Sequence, residues 1–241
     1  MYKNGVVTQM AKLQQIKEKE QVVLTQTQKD VIVGSLLGDG NLQSATQGRS
    51  WRYRALQEKN QLTYLQYKYN VLQNLCGTGL LYDERVDDRT STYNKRYYFN
   101  TLVHDCLKHY GNMFYTFDDT SQKFTKDVPQ NVRQVLTPRA LAILYQDDGA
   151  LKWENHSNAM RVCTESLSLE GVNRLKNAIE SLYGFKVTTQ PKYKTLNGIK
   201  TIVGYRIIIP ERSSEAFVEV IKPYVIDSMT YKVSDGKKGH L

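Results

Sequence analysis

Two aspartates in this chain close apolar, helix-like runs. Asp39 ends the stretch VIVGSLLGDG at 31–40, and Asp148 ends LTPRALAILYQDDG at 136–149. A helix C-terminus carries partial negative charge, so an acid there costs from a few tenths to about 1 kcal/mol. A local rule broken on an otherwise regular element points to function. Two such acids held side by side would repel each other, and a divalent cation would relieve that repulsion. Magnesium takes one or two carboxylates together with water and phosphate oxygens. The run GSLLGDG fits neither the dinucleotide-binding G-x-G-x-x-G pattern nor the P-loop. A plain core helix with a glycine cap would explain either run alone, but not two in register.

The elements that must position these acids repeat. Leu24-Thr25 opens the first run and Leu136-Thr137 the second, 109 residues separate the two aspartates, and a glycine follows each. Thr25 and Thr137 are expected N-caps, and Pro138 suits a first helical position. Gly40 and Gly149 are expected to take left-handed C-cap conformations. The first run leads to a strand-like WRYRALQE (51–58) and a helical NQLTYLQYKYNVLQNL (60–75). The second leads to NAMRVCTE (158–165) and SLEGVNRLKNAIESLYG (168–184). A strand pair follows in each half, at 80–86 with 95–102 and at 185–195 with 200–210. Asn197-Gly198 joins the second pair as a hairpin turn. Helices at 103–114 and 214–225 close the halves, so each half reads α-β-β-α-β-β-α. The polar stretch 115–135, with Pro129, reads as the connection. The expected organisation is an extension over 1–24, a first half over 25–120, a linker over 121–135 and a second half over 136–241.

Composition sets the wider frame. The chain has 241 residues, 40% of them hydrophobic, which is enough for a real core. Its apolar runs fall short of a membrane span, and no signal-peptide pattern opens it. Cys76, Cys106 and Cys163 are odd in number and far apart, which suggests a reducing compartment and no disulfide framework. No Cys/His spacing suits zinc. The net charge of +9, pI of about 9.3 and 17 tyrosines among 33 Lys+Arg suit a polyanionic partner, most often nucleic acid.

With both motifs and the repeat in view, the chain resembles the LAGLIDADG homing endonucleases of the single-chain, two-repeat, intron-encoded type. The two copies are IVGSLLGDG (32–40) and LAILYQDDG (141–149), and the likeness runs from about residue 24 to 235. It implies an α+β fold of two αββαββα halves related by a pseudo-twofold. The motif helices would pack at the interface, and each half would offer a saddle-shaped antiparallel sheet to the DNA major groove. It implies that Asp39 and Asp148 bind metal and catalyse, with Gly38 and Asp147, at the equivalent preceding position, as further members of the metal site. Small residues let helix backbones approach closely. Gly34 and Gly38 provide them on the first helix, while Ile143 stands where the second would need one, so the crossing is expected to be asymmetric. Asp147 suits a water-positioning role, although a solvated spectator would explain it nearly as well.

Basic residues near the acids would steady developing charge. The resemblance implies such residues at Lys126 and Lys232, and the repeat agrees, since they lie 87 residues after Asp39 and 84 after Asp148; two lysines among 33 Lys+Arg could also fall there by chance. Gln57, Thr164 and Gln146 are further neighbours by position. Groove readers are Arg, Lys, Asn and Gln on exposed strand faces. Lys186, Thr188, Gln190, Lys192 and Lys194 alternate along one strand. Arg52 with Arg54, and either Lys95 with Tyr97 or Asn94 with Arg96, are first-half candidates, and Arg161 and Arg206 belong to the second. An ordinary solvated sheet face would explain any one of them.

The resemblance implies a monomer, without membrane or protein partner, that cuts double-stranded DNA at a site of about 20 base pairs to leave 3′ overhangs of four bases. It implies Mg²⁺, with Mn²⁺ substituting and Ca²⁺ binding without cleavage. The implied home is a mitochondrion or chloroplast, with bacteria and phage as alternatives. Two rival functions share the fold: an intron-encoded RNA maturase and a non-cleaving DNA-binding regulator. Retention of both acids favours the enzyme. DNA affinity should fall steeply with salt, because phosphate contacts release counterions.

Overall fold

The computed structural model describes residues 22–87, 92–153 and 156–233, without the side chains of 85–87 and 92–94. Most of the expected extension therefore lies outside the described residues, as does the side chain of Asn94. The first motif forms α1 (Gln26–Leu37), opened by a capping box: Thr25 Oγ1 accepts from the Gln28 amide, and Gln28 Oε1 accepts from the Thr25 amide. There follow β1 (Asn41–Gln43), β2 (Arg52–Glu58), α2 (Leu62–Leu72), β3 (Leu81–Asp87), β4 (Thr92–Asn100) and α3 (Lys108–Phe114). The stretch read as a linker contains a hairpin, β5 (Tyr115–Asp118) with β6 (Lys123–Lys126), and one helical turn, α4 (Val132–Val135). The second motif forms α5 (Pro138–Asp148), capped by Thr137 with Pro138 at its first position. Then come β7 (Gly149–Trp153), β8 (Ser157–Val162), α6 (Leu169–Tyr183), β9 (Thr188–Leu196), β10 (Ile199–Ile209) and α7 (Glu211–Ile221).

The repeat is structural. One four-stranded antiparallel sheet runs β1-β2-β4-β3 and the other β7-β8-β10-β9, the same order of equivalent elements. The short β1 and β7, which follow the motifs directly, supply the first strand of each half. At the β9–β10 turn Asn197 and Gly198 both have positive φ, 49° and 80°, as a two-residue hairpin requires.

The two motif helices are buried on nearly every side and pack against each other. Val31 to Leu37 and Ala140 to Tyr145 lie in one continuous core. A helix apolar all round has to be enclosed, and here each encloses the other. At their contact a Cβ on Gly34 would overlap the Ala140 carbonyl oxygen and lie 2.6 Å from Ile143 Cβ. The backbones thus approach closely although Ile143 is not small, since one glycine clears the space for both.

The glycines after the acids correct an expectation. Neither Gly40 nor Gly149 is left-handed, and Gly149 is extended at φ −82°, ψ 150°. The chain enters a strand at once, so it needs room and not a reversal. A side chain on Gly149 would overlap the Tyr145 carbonyl and ring, and one on Gly40 would lie 2.7 Å from Ser35 Cβ.

Candidate active site at the paired helix ends

The close packing of α1 and α5 carries both C-terminal ends to one place. Asp39 is exposed there, and its Oδ2 accepts from Gln57 Nε2 at 3.2 Å. Asp148 is partly buried, and among the described residues no side chain donates to its carboxylate. Burial, with the charges of Asp39 and Asp147 adding to it, pushes its pKa up to about 8. An under-compensated pair of acids is what the two motifs build.

Two lysines answer the helix ends. Lys126 Nζ donates to the Gly38 and Gly40 carbonyls at 2.7 and 3.0 Å. Lys232 Nζ donates to the Gln146 and Asp147 carbonyls at 2.6 and 3.1 Å. Gly38 and Asp147 are equivalent in the repeat, so each lysine caps its own motif, where cations complement the dipole. Burial lowers the pKa of both ammonium groups, and the aspartates pull back against it.

The supports of the two lysines differ. Lys126 ends β6, whose hairpin is pinned by rings: Trp51 and Phe124 at 4.8 Å, Trp51 and Tyr115 at 5.2 Å, and Phe117 and Phe124 at 4.9 Å between centroids. The Leu42 amide also donates to the Tyr115 hydroxyl at 2.8 Å. Lys232 lies in a 3₁₀ turn, Asp227–Lys232, held by the second motif helix itself. Tyr145 Oη donates to the Lys232 carbonyl at 2.8 Å, and Gln146 Oε1 accepts from the Ile226 amide at 2.9 Å. Gln146 therefore serves as a buried brace. Thr164 lies just past β8 and donates to the Tyr205 carbonyl.

Asp147 is not a solvated spectator. Its side chain is fully buried, and its Oδ1 lies 2.5 Å from Nζ of Lys68, also fully buried. Lys68 comes from α2 of the first half. Sequence reasoning missed it, although the four-residue spacing of Tyr64, Lys68 and Leu72 puts it on a helix face with two core residues. Gly38 is the complement: a Cβ there would lie 2.7 Å from Asp147 Cβ. The Gly38 carbonyl faces Lys126 and the Asp147 carboxylate faces Lys68. Among the described residues no three His, Cys, Asp or Glu side chains form a metal cluster. A cation here would rest on Asp39 and Asp148 with oxygens from water and phosphate, a donor set that fits magnesium.

Strand register sorts the groove-reading candidates. On the first sheet Arg52 and Arg54 share the outer face with Tyr98, Asn100 and Arg96, whereas Tyr53, Ala55 and Phe99 face the core. Lys95 falls on the other face, its Nζ 3.7 Å from the Tyr82 ring centroid. Arg96 therefore shares the face of Arg52 and Arg54, and Lys95 points to the opposite one. On the second sheet Gln190 opposes Arg206 while Arg161 and Thr188 both oppose Ile208, so these share one face with Lys192 and Lys194. Lys186 precedes β9 and sits 4.0 Å from Glu180 on α6, off the strand. Acids hold Arg96 (Asp83 at 3.1 Å) and Arg206 (Glu165) in place.

Residues 29–217 match the model of the LAGLIDADG DNA endonuclease family. The chain is 54% identical to the DNA endonuclease I-ChuI of Chlamydomonas applanata, over 90% of this chain and 99% of that one. It is 27% identical to the cytochrome b mRNA maturase bI2 of Saccharomyces cerevisiae, over 85% of this chain and 47% of that longer protein. The fold matches the homing endonuclease I-WcaI bound to its DNA recognition sequence, with a TM-score of 0.74 and 18% identity, over 90% of this chain and 91% of that one.

Proposed function

The chain belongs to the LAGLIDADG DNA endonuclease family, and from that premise we propose that it is a sequence-specific homing endonuclease that hydrolyses both strands of a long DNA duplex. The observation that carries the reading is the junction of Asp39 and Asp148 at two helix ends that Lys126 and Lys232 cap. The likeness to I-ChuI over nearly the whole of both chains supports it.

Asp39 and Asp148 would hold a divalent cation, magnesium by preference, with manganese substituting and calcium binding without turnover. When bound, that cation supplies an activated water and neutralises charge on the phosphate. Everything else belongs to the chain. The outward Arg, Lys and Gln of the two sheets grip phosphates and read base edges. Gln57 orients Asp39. Lys126 and Lys232 place two cations beside the pair of acids, where they stabilise the charge that builds as the phosphodiester opens. Two pseudo-equivalent sites in one chain suit a monomer that cuts one strand at each. The site would span about 20 base pairs and the product carry 3′ overhangs of four bases. An organellar home is part of the same proposal. An RNA maturase role is a second reading, supported by the likeness to the yeast maturase.

The test is selection of cleaved sites from a random duplex library with Mg²⁺, repeated with Asp39→Asn and Asp148→Asn separately. Loss of either acid should slow cleavage by about 10³-fold or more, since a charge-stabilising group in the transition state is removed. If both variants still cut both strands, the two acids are not the active site.

A further inference from the structure

We infer that Lys68 is a positioning residue for cleavage at the second motif: reaching across from the first half, it fixes Asp147 and through it the adjacent Asp148. This rests on the endonuclease reading above and names a residue which that reading does not need.

The geometry is one-sided. Lys68 and Asp147 are both fully buried, and their ion pair at 2.5 Å spans the interface between the halves. Burying two charges is costly, and an apolar pair of similar volume often serves stability as well or better. The pair is therefore a poor device for folding alone. It has company on the same face of α2. Tyr64 Oη donates to the Ile143 carbonyl at 3.2 Å, one turn before Asp147 on α5, and the Lys68 ammonium lies 4.4 Å from the Tyr64 ring centroid. Asp147 is thus held from three directions. Lys68 takes its carboxylate, Lys232 its carbonyl at 3.1 Å, and Gly38 leaves the space its side chain fills. The next residue is Asp148, which has no side-chain donor of its own among the described residues. Its place is set by what holds Asp147.

The first motif has no counterpart. Gly38 stands in the Asp147 position with no side chain to hold, and Asp39 is oriented directly by Gln57. Loss of the clasp should therefore unbalance the two cuts. A residue needed only for folding would slow both alike.

The experiment follows each strand of the cognate duplex separately, with one end-label per strand, and includes melting curves and DNA affinity measured without divalent cation. Lys68→Met alone would strand a buried carboxylate, so the main variant is Lys68→Met with Asp147→Asn, which removes both charges. Tyr64→Phe is the milder companion. The double variant should melt as a folded protein and keep its metal-free DNA affinity. Its strand-rate ratio should shift at least tenfold from wild type, with the slower strand the one that Lys232→Met also slows. Tyr64→Phe should shift the ratio in the same direction by less. If the ratio stays within twofold of wild type, whatever happens to melting, Lys68 is structural only and the inference fails. If wild type itself cuts neither strand, the endonuclease reading fails with it.

Discussion

The two motif ends do the same job with different supports. At the first end Asp39 is exposed and meets Gln57, while Lys126 arrives on a hairpin pinned by Trp51 and Tyr115. At the second, Asp148 is partly buried behind a buried acid. Lys232 arrives on a turn held by Tyr145 and Gln146, and Lys68 crosses from the other half. Both ends set an acid beside helix-end carbonyls that a lysine caps, although Lys126 takes the carbonyls on either side of Asp39 and Lys232 the two before Asp148. Pseudo-symmetry therefore holds in the presence of acid and lysine and lapses in what braces them. A duplicated motif must keep the positions of charge. The packing around it is free to diverge so long as each helix end stays neutralised.

The strongest way to break this comparison is to remove one lysine at a time. Lys126→Met should slow one strand by about 10²-fold, and Lys232→Met the other strand by a like amount. Strand-labelled cleavage reads both directly. If both variants slow the same strand, the lysines do not belong to separate ends.

A smaller effect tests the shared contact. In Gly34→Ala the new methyl meets the Ala140 carbonyl and Ile143. Overpacking of this kind costs about 1–3 kcal/mol, so thermal denaturation should begin several degrees lower and both strands should be cut more slowly, in equal measure. An unequal loss would show that the helix crossing serves one end more than the other.

A third test, read in stability and not in strand cleavage, sharpens the contrast in burial. Asp148 is held at about 8 against 3.8 unperturbed. The folded protein therefore keeps a proton that the unfolded chain has released above about pH 4. The unfolded state binds fewer protons across that window, so metal-free stability falls as pH rises from about 4 to about 8. Lys126 and Lys232, lowered by burial, contribute with the opposite sign in the alkaline range. Melting followed across this window should show the fall in wild type and a shallower one in Asp148→Asn. Added Mg²⁺ should restore stability near pH 8 in wild type only.

Much of the fold was legible because it is written locally and then written twice. The element order, the Thr25 and Thr137 caps and the Asn197-Gly198 turn each follow from residues a few positions apart. The left-handed caps expected of Gly40 and Gly149 did not form, because the space those glycines clear is filled by Ser35 and Tyr145 and the chain runs straight into a strand.

What the sequence determined alone was the repeat and its two acids, with the resemblance adding the two lysines at nearly equal spacing. A pseudo-twofold copies chemistry in register, so the chain displays it. What only the tertiary structure decided was the bracing. Lys68 and Asp147 are 79 residues apart and meet across the interface between halves, and no period in the chain links them. The structure also put Arg96, and not Lys95, on the sheet face of Arg52 and Arg54, because alternation fixes that neighbours face opposite ways, while only the packing of Tyr53, Ala55 and Phe99 fixes which face is covered.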